Sequence, residues 1–241
     1  MLDWLRRDPH RQPVLDIAGR SVPIVLRRMD RARRMTMRLT PDGREIRITV
    51  PRWVRTDDAL DFARSRREWL ERQLAALPDD FVIAHGQTVH FRGHPLILHH
   101  DAKAPRKPVR HEHMLAVGGP EVSLPARIRR WLQDEALGAL ADDLAHYCAR
   151  AARCAPALAL SNARRRWGSC APDGTIRINW RLIMAPDDVR RSVVAHEVAH
   201  LIHFDHSPAF HDCLDGLFEG SIPEANRWLK VHGRELYLPF G

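Results

Sequence analysis

The stretch Val193 to His211, VVAHEVAHLIHFDHSPAFH, constrains this chain more than any other, because it holds five of its fifteen histidines with Glu197 among them. In an α-helix His196 and His200 differ by about 40° and by about 6 Å of rise, so both imidazoles can meet one Zn²⁺ at about 2.0 to 2.1 Å. Glu197 lies about 100° round, where its carboxylate can take a proton from a metal-bound water instead of ligating. That is the HExxH spacing. By composition it arises by chance in roughly one such chain in twenty-five, so its neighbours have to decide. Val193, Val194, Val198, Leu201 and Ile202 surround the polar triplet, as in a helix buried on one side and lining a cleft on the other. Pro186, Asp187 and Asp188 supply a helix start just upstream.

A catalytic zinc takes three protein ligands and a water, so a third ligand is needed. His203, His206, His211 and an acidic residue, Glu219 or Glu224, are the candidates. His203 shares the stripe of His196 but stands about 10.5 Å along the axis, too far to converge with the pair. His206 would point about 120° away from His200 on a continuing helix and can ligate only if the chain turns back. Ser207-Pro208, a cap followed by a first-turn proline, requires such a turn and favours His206 over Glu219.

The rest of the chain sets the frame. No apolar run approaches the roughly 20 residues that span a bilayer, and the N-terminus lacks the apolar stretch and cleavage site of a secretory signal. Cys148, Cys154, Cys170 and Cys213 have no CxxC spacing, which favours free thiols and a cytoplasmic location. From Val22 to Val50 short alternating runs read as strands, with a PDG turn at Pro41 to Gly43. One helix follows, capped by Thr56 and running through Leu77, and a strand pair surrounds Gly86 and Gly93. Residues 101–125, rich in proline, glycine and charge, read as a loop or lobe junction. A long amphipathic helix covers about Pro125 to Ala152. A strand, an irregular segment, a PDG turn and a strand at Thr175 to Trp180 lead into the HExxH helix, and a last helix spans Pro223 to Gly233. No internal repeat is evident. The expectation is an α+β chain, with a β-rich N-terminal lobe with one helix at 1–120 and a second lobe at 121–241 that carries the HExxH helix and a small sheet.

RRRWGSC, DGTIRINWRLIMAP, VVAHEVAHLIHFDHSPAF and RWLKVHG together resemble the YgjP-like metallopeptidases, relatives of the SprT and WLM groups among the HExxH zincins. RMDRARRMTMRLTPDG, ITVP and RREWL extend the resemblance over most of residues 20–235. It implies a zincin-like C-terminal lobe and a zinc metallopeptidase ligated by His196, His200 and His206, with Glu197 as general base and acid toward a zinc-activated water. Members usually carry Phe-Trp after the third ligand; Phe210-His211 here leaves the ligand set intact and places a further polar group nearby. In zincins an extended substrate pairs with an edge strand, for which TIRINW at Thr175 to Trp180 is placed by sequence order.

Two other readings compete. The formal charge of +8, carried almost wholly by arginine, and the clusters Arg27, Arg28, Arg31, Arg33, Arg34 and Arg164, Arg165, Arg166 suggest a weak nucleic-acid association, including a protease acting on DNA-bound proteins. A structural or storage metal site would use His85, His90, His94, His99, His100, His111 and His113, which follow no ligand spacing. A zinc deaminase is excluded, since that site needs H-x-E with P-C-x-x-C.

Overall fold

In a computed structural model that describes residues 13–40, 43–75 and 82–240, the chain divides between Asp80 and Phe81 into two compact units. Together they contain three small sheets and six α-helices among the described residues, an α+β architecture.

In the first unit, β1 (Val14–Ile17), β2 (Arg20–Arg28), β3 (Thr36–Leu39) and β4 (Ile46–Val50) form a sheet of order β1-β2-β4-β3. β4 alternates as its sequence predicts: Ile46, Ile48 and Val50 are fully buried, while Arg47 and Thr49 face out. Their inner face packs with Ile17, Val22 and Ile24 against Ala59, Ala63, Leu70 and Leu74. Those last four lie on two helices, α1 (Thr56–Ser65) and α2 (Arg67–Ala75), where the sequence predicts one. The chain breaks at Arg66, where the Ser65 hydroxyl donates to the Phe62 carbonyl and competes for a helix acceptor. Thr56 is not the cap. It is the first helical residue, after Arg55, and its hydroxyl accepts from Arg28. Pro41 and Asp42 of the PDG turn, and Leu77, lie outside the described residues.

The second unit opens with β5 (Thr88–Phe91), β6 (His94–Asp101), β7 (Val109–His111) and β8 (Met114–Gly118), in order β5-β6-β8-β7. The stretch predicted as a loop or lobe junction thus contains two strands. These strands fall inside the 1–120 span of the sequence reading, but their contacts group them with the HExxH segment. Both four-stranded sheets share one topology: an antiparallel pair, a parallel pair, then a second antiparallel pair. Each starts with a two-residue turn at positive φ, Ala18-Gly19 in one and Arg92-Gly93 in the other.

α3 (Leu124–Arg150) realises the predicted stripe: Ile128, Leu132, Ala136, Leu140, Leu144 and Tyr147 are all buried. β9 (Leu158–Ser161), β10 (Gly168–Cys170) and β11 (Ile176–Asn179) make a third sheet of order β10-β11-β9. The strand expected at an edge, β11, is therefore central, and β10, inside the segment expected to be irregular, lies at the edge. A short 3-10 turn, Trp180–Met184, then leads to α4 (Asp187–Ala199), α5 (Pro208–Leu217) and α6 (Ile222–His232).

Three grips hold α4. At the β5–β6 turn, Arg92 and Gly93 donate to the carbonyls of Ile183 and Met184 at 2.7 and 3.2 Å, and the Arg92 guanidinium pairs with Asp187 in the first helical turn. Arg190, 3% exposed, donates through Nε to Asp143 of α3 at 2.7 Å and also pairs with Asp187. Val194, Ala195, Val198 and Ala199 complete the contact with the core.

Candidate metal centre

α4 ends at Ala199 with His200 as its C-cap, so His196 and Glu197 occupy its last turn. The chain then bends, and Ser207 with Pro208 at the first position restarts it as α5. The bend brings His206 back. The ligand atoms of His196, His200 and His206 all lie within 4.8 Å of one another, and this is the one group of three among the described residues that can hold a metal ion. The histidines from His85 to His113 form no such group. His206 and His196 turn their Nε2 atoms toward each other at 3.3 Å. A cation between the two rings would be met by a lone pair from each Nε2.

Further contacts fix the rings. His200 Nδ1 lies 3.0 Å from the His203 carbonyl and donates to it, which leaves Nε2 as the free acceptor. Phe210, fully buried, lies under all three imidazoles with centroid distances of 5.0, 4.6 and 4.8 Å to His196, His200 and His206. Burial, reinforced by His200, His206 and His211, holds His196 down at about 4, so its imidazole is neutral at pH 7. Burial lowers His200 as well.

Glu197 is 5% exposed and its side chain lies against Gly168 and Cys170 of β10. Burial pushes its carboxyl up to about 7, while the Cys170 backbone N–H and the Arg166 charge act in the opposite direction. A Cβ on Gly168 would stand 2.7 Å from Glu197 Cγ, so only glycine leaves the carboxylate its place.

The sequence singled out His196, Glu197, His200 and His206, and the fold gathers all four. His203 contributes its carbonyl, and the His211 ring lies 6.5 Å from that of His206. Glu219, weighed as a ligand, is engaged elsewhere: His146, Tyr147, Arg150 and Arg191 all bond it. The contacts made by Phe210, Gly168 and the Cys170 amide were not foreseen, although all three residues lie in motifs that stand out in the sequence, Gly168 and Cys170 in RRRWGSC and Phe210 in VVAHEVAHLIHFDHSPAF. All four cysteines are free thiols.

Three imidazoles converging beside a buried carboxylate are suited to metal-assisted hydrolysis. A family model for the YgjP-like metallopeptidase domain matches residues 33–232, and the chain belongs to that family. It is a metallopeptidase, and peptides are its substrates. No match is found among curated proteins or solved structures. No described helix is long and apolar enough to cross a membrane, and nothing in the match supports a nucleic-acid partner. Of the arginines that suggested one, Arg28 bonds the carbonyls of Arg52 and Val54.

Proposed function

We propose that the chain is an HExxH zinc peptidase of zincin type, with His196, His200 and His206 as ligands and Glu197 as general base and acid. The observation that carries this is the return of His206 to His196. Two nitrogens each about 2.0 to 2.1 Å from one tetrahedral zinc lie roughly 3.4 Å apart, and the Nε2 atoms of these residues are 3.3 Å apart. An all-imidazole donor set suits zinc, whereas magnesium and calcium seek oxygen.

Zinc, when bound, supplies Lewis acidity that polarises a carbonyl and makes water easier to deprotonate. The chain's own groups do the rest. Glu197, oriented by the Cys170 N–H, takes a proton from the attacking water and delivers it to the departing amine. The His203 carbonyl keeps the His200 ring in one orientation, and Phe210 seals the cluster from below. An extended peptide pairs along β10, the edge strand beside Glu197, and not along β11. Free thiols are in keeping with a cytoplasmic enzyme.

The test compares metal content and peptide hydrolysis in the native protein, Glu197→Gln and His206→Ala. We expect one zinc per chain, retained in Glu197→Gln with hydrolysis lost, and weakened binding in His206→Ala. Full zinc occupancy in His206→Ala sinks the ligand assignment, and undiminished hydrolysis in Glu197→Gln sinks the mechanism.

A further inference from the structure

A cavity of about 270 Å³ opens beside the metal centre, between α4, α6 and the start of β10. His196 and Glu197 are among its lining residues. Val193, Trp167, Ile222 and Leu229 supply apolar walls, and Arg166 and Asn226, both exposed, stand among its lining residues. Ser192 also lines it, but its hydroxyl is already committed to the Val189 carbonyl. Pockets that enclose a drug-sized molecule run from roughly 300 to 1,000 Å³, so this one suits a single side chain.

We infer that this cavity is a specificity pocket for a medium-sized apolar side chain, of leucine, methionine or phenylalanine size, on a residue flanking the scissile bond. The inference rests on the peptidase reading above and adds a substrate class to it. Its placement follows from chain dimensions. Consecutive Cα atoms are about 3.8 Å apart, so a peptide whose carbonyl sits at the histidines carries a neighbouring side chain into space bordered by His196 and Glu197.

Charge selects among side chains. An acidic group would enter beside the Glu197 carboxylate and meet a like charge. A basic group would pass Arg166 and then pair with Glu197, taking up the carboxylate that the reaction needs. An apolar group meets neither conflict and gains contact with Val193, Trp167, Ile222 and Leu229. The sequence alone does not reveal the pocket, because its lining comes from three segments separated by 20 or more residues.

The experiment measures kcat/KM of the zinc-loaded full chain on peptides that differ only at the residue flanking the cleaved bond: glycine, alanine, leucine, phenylalanine, glutamate and lysine. Native protein should favour leucine or phenylalanine over glycine by about tenfold or more, with glutamate and lysine the poorest. Asn226→Trp places bulk on the exposed face of α6 that borders the cavity, and the leucine-to-glycine ratio of kcat/KM should fall at least tenfold. Equal rates across the native series, or a preference for a charged residue, overturn the pocket while leaving the peptidase intact. A ratio unmoved in folded Asn226→Trp overturns it as well. If Asn226→Trp does not fold, the native series still decides. Native protein that binds zinc and cleaves no peptide overturns the peptidase reading, and the pocket with it.

Discussion

Phe210 carries a load at two levels, since its ring fills the core and sets the floor of the histidine cluster. Phe210→Ala should cost about 3–5 kcal/mol, the range for deleting a buried aromatic ring, and should weaken zinc binding in the same variant. Denaturant unfolding with and without zinc measures both. An unchanged midpoint would show that the ring bears no packing load. At this scale the site was legible where chemistry is written in side chains: His196, Glu197, His200 and His206 stand out by type and spacing. What Gly168 and the Cys170 amide do was not legible, because a glycine's identity does not say which neighbour needs the room its absent Cβ leaves, and any residue but proline offers a backbone N–H. Spacing rightly set His203 aside as a ligand, but that its carbonyl holds the His200 ring was not legible, since any residue there offers one.

α4 is held by grips of unequal strength. Asp143 and Arg190 are nearly buried, at 10% and 3% side-chain exposure, whereas Arg92 is 49% exposed in its pair with Asp187. Asp143→Ala leaves the buried Arg190 guanidinium with Asp187 alone and its Nε–H without an acceptor, so it should destabilise by about 3 kcal/mol, and Arg92→Ala by less than about 1 kcal/mol. Thermal unfolding of the two variants gives the order directly, and a reversal would show that the hairpin, not α3, anchors the helix. The segment just after α5 is secured differently, through Glu219. Burial would raise its carboxyl, but bonds from His146 and Tyr147 and the Arg191 charge bring it down to about 2. A depressed carboxyl gives stability that is present above its ordinary value of 4.5 and is lost as pH falls through about 2. The stability difference between native protein and Glu219→Gln should therefore hold at neutral pH and shrink across that window. A constant difference down to pH 2 would remove Glu219 from the ion network. The elements themselves were largely legible. α3 and β4 follow their hydrophobic periods closely, while β7 and β10, three residues each, were missed as too short for a period to emerge, and β8, as long as β4, was missed because it lies in a stretch rich in proline, glycine and charge. The break between α1 and α2 escaped because no glycine or proline marks it.

Across the whole molecule the two four-stranded sheets share a topology that no sequence repeat announces, since strand order can be kept while almost every side chain changes. Their opening turns are held at nearly the same angle, Gly19 at φ +76° and Gly93 at φ +81°, but in different surroundings. A Cβ on Gly19 meets nothing within 4 Å, while one on Gly93 comes 3.0 Å from Pro186 Cα. Asparagine tolerates the left-handed region, so Gly19→Asn should cost under about 1 kcal/mol, and Gly93→Asn about 1–3 kcal/mol through overpacking. Unfolding midpoints separate the two. The same turn is thus a spare part in one sheet and a latch in the other: an engineer can cut, lengthen or tag the chain at Ala18-Gly19, while any splice at Arg92-Gly93 loosens the helix that carries the histidines.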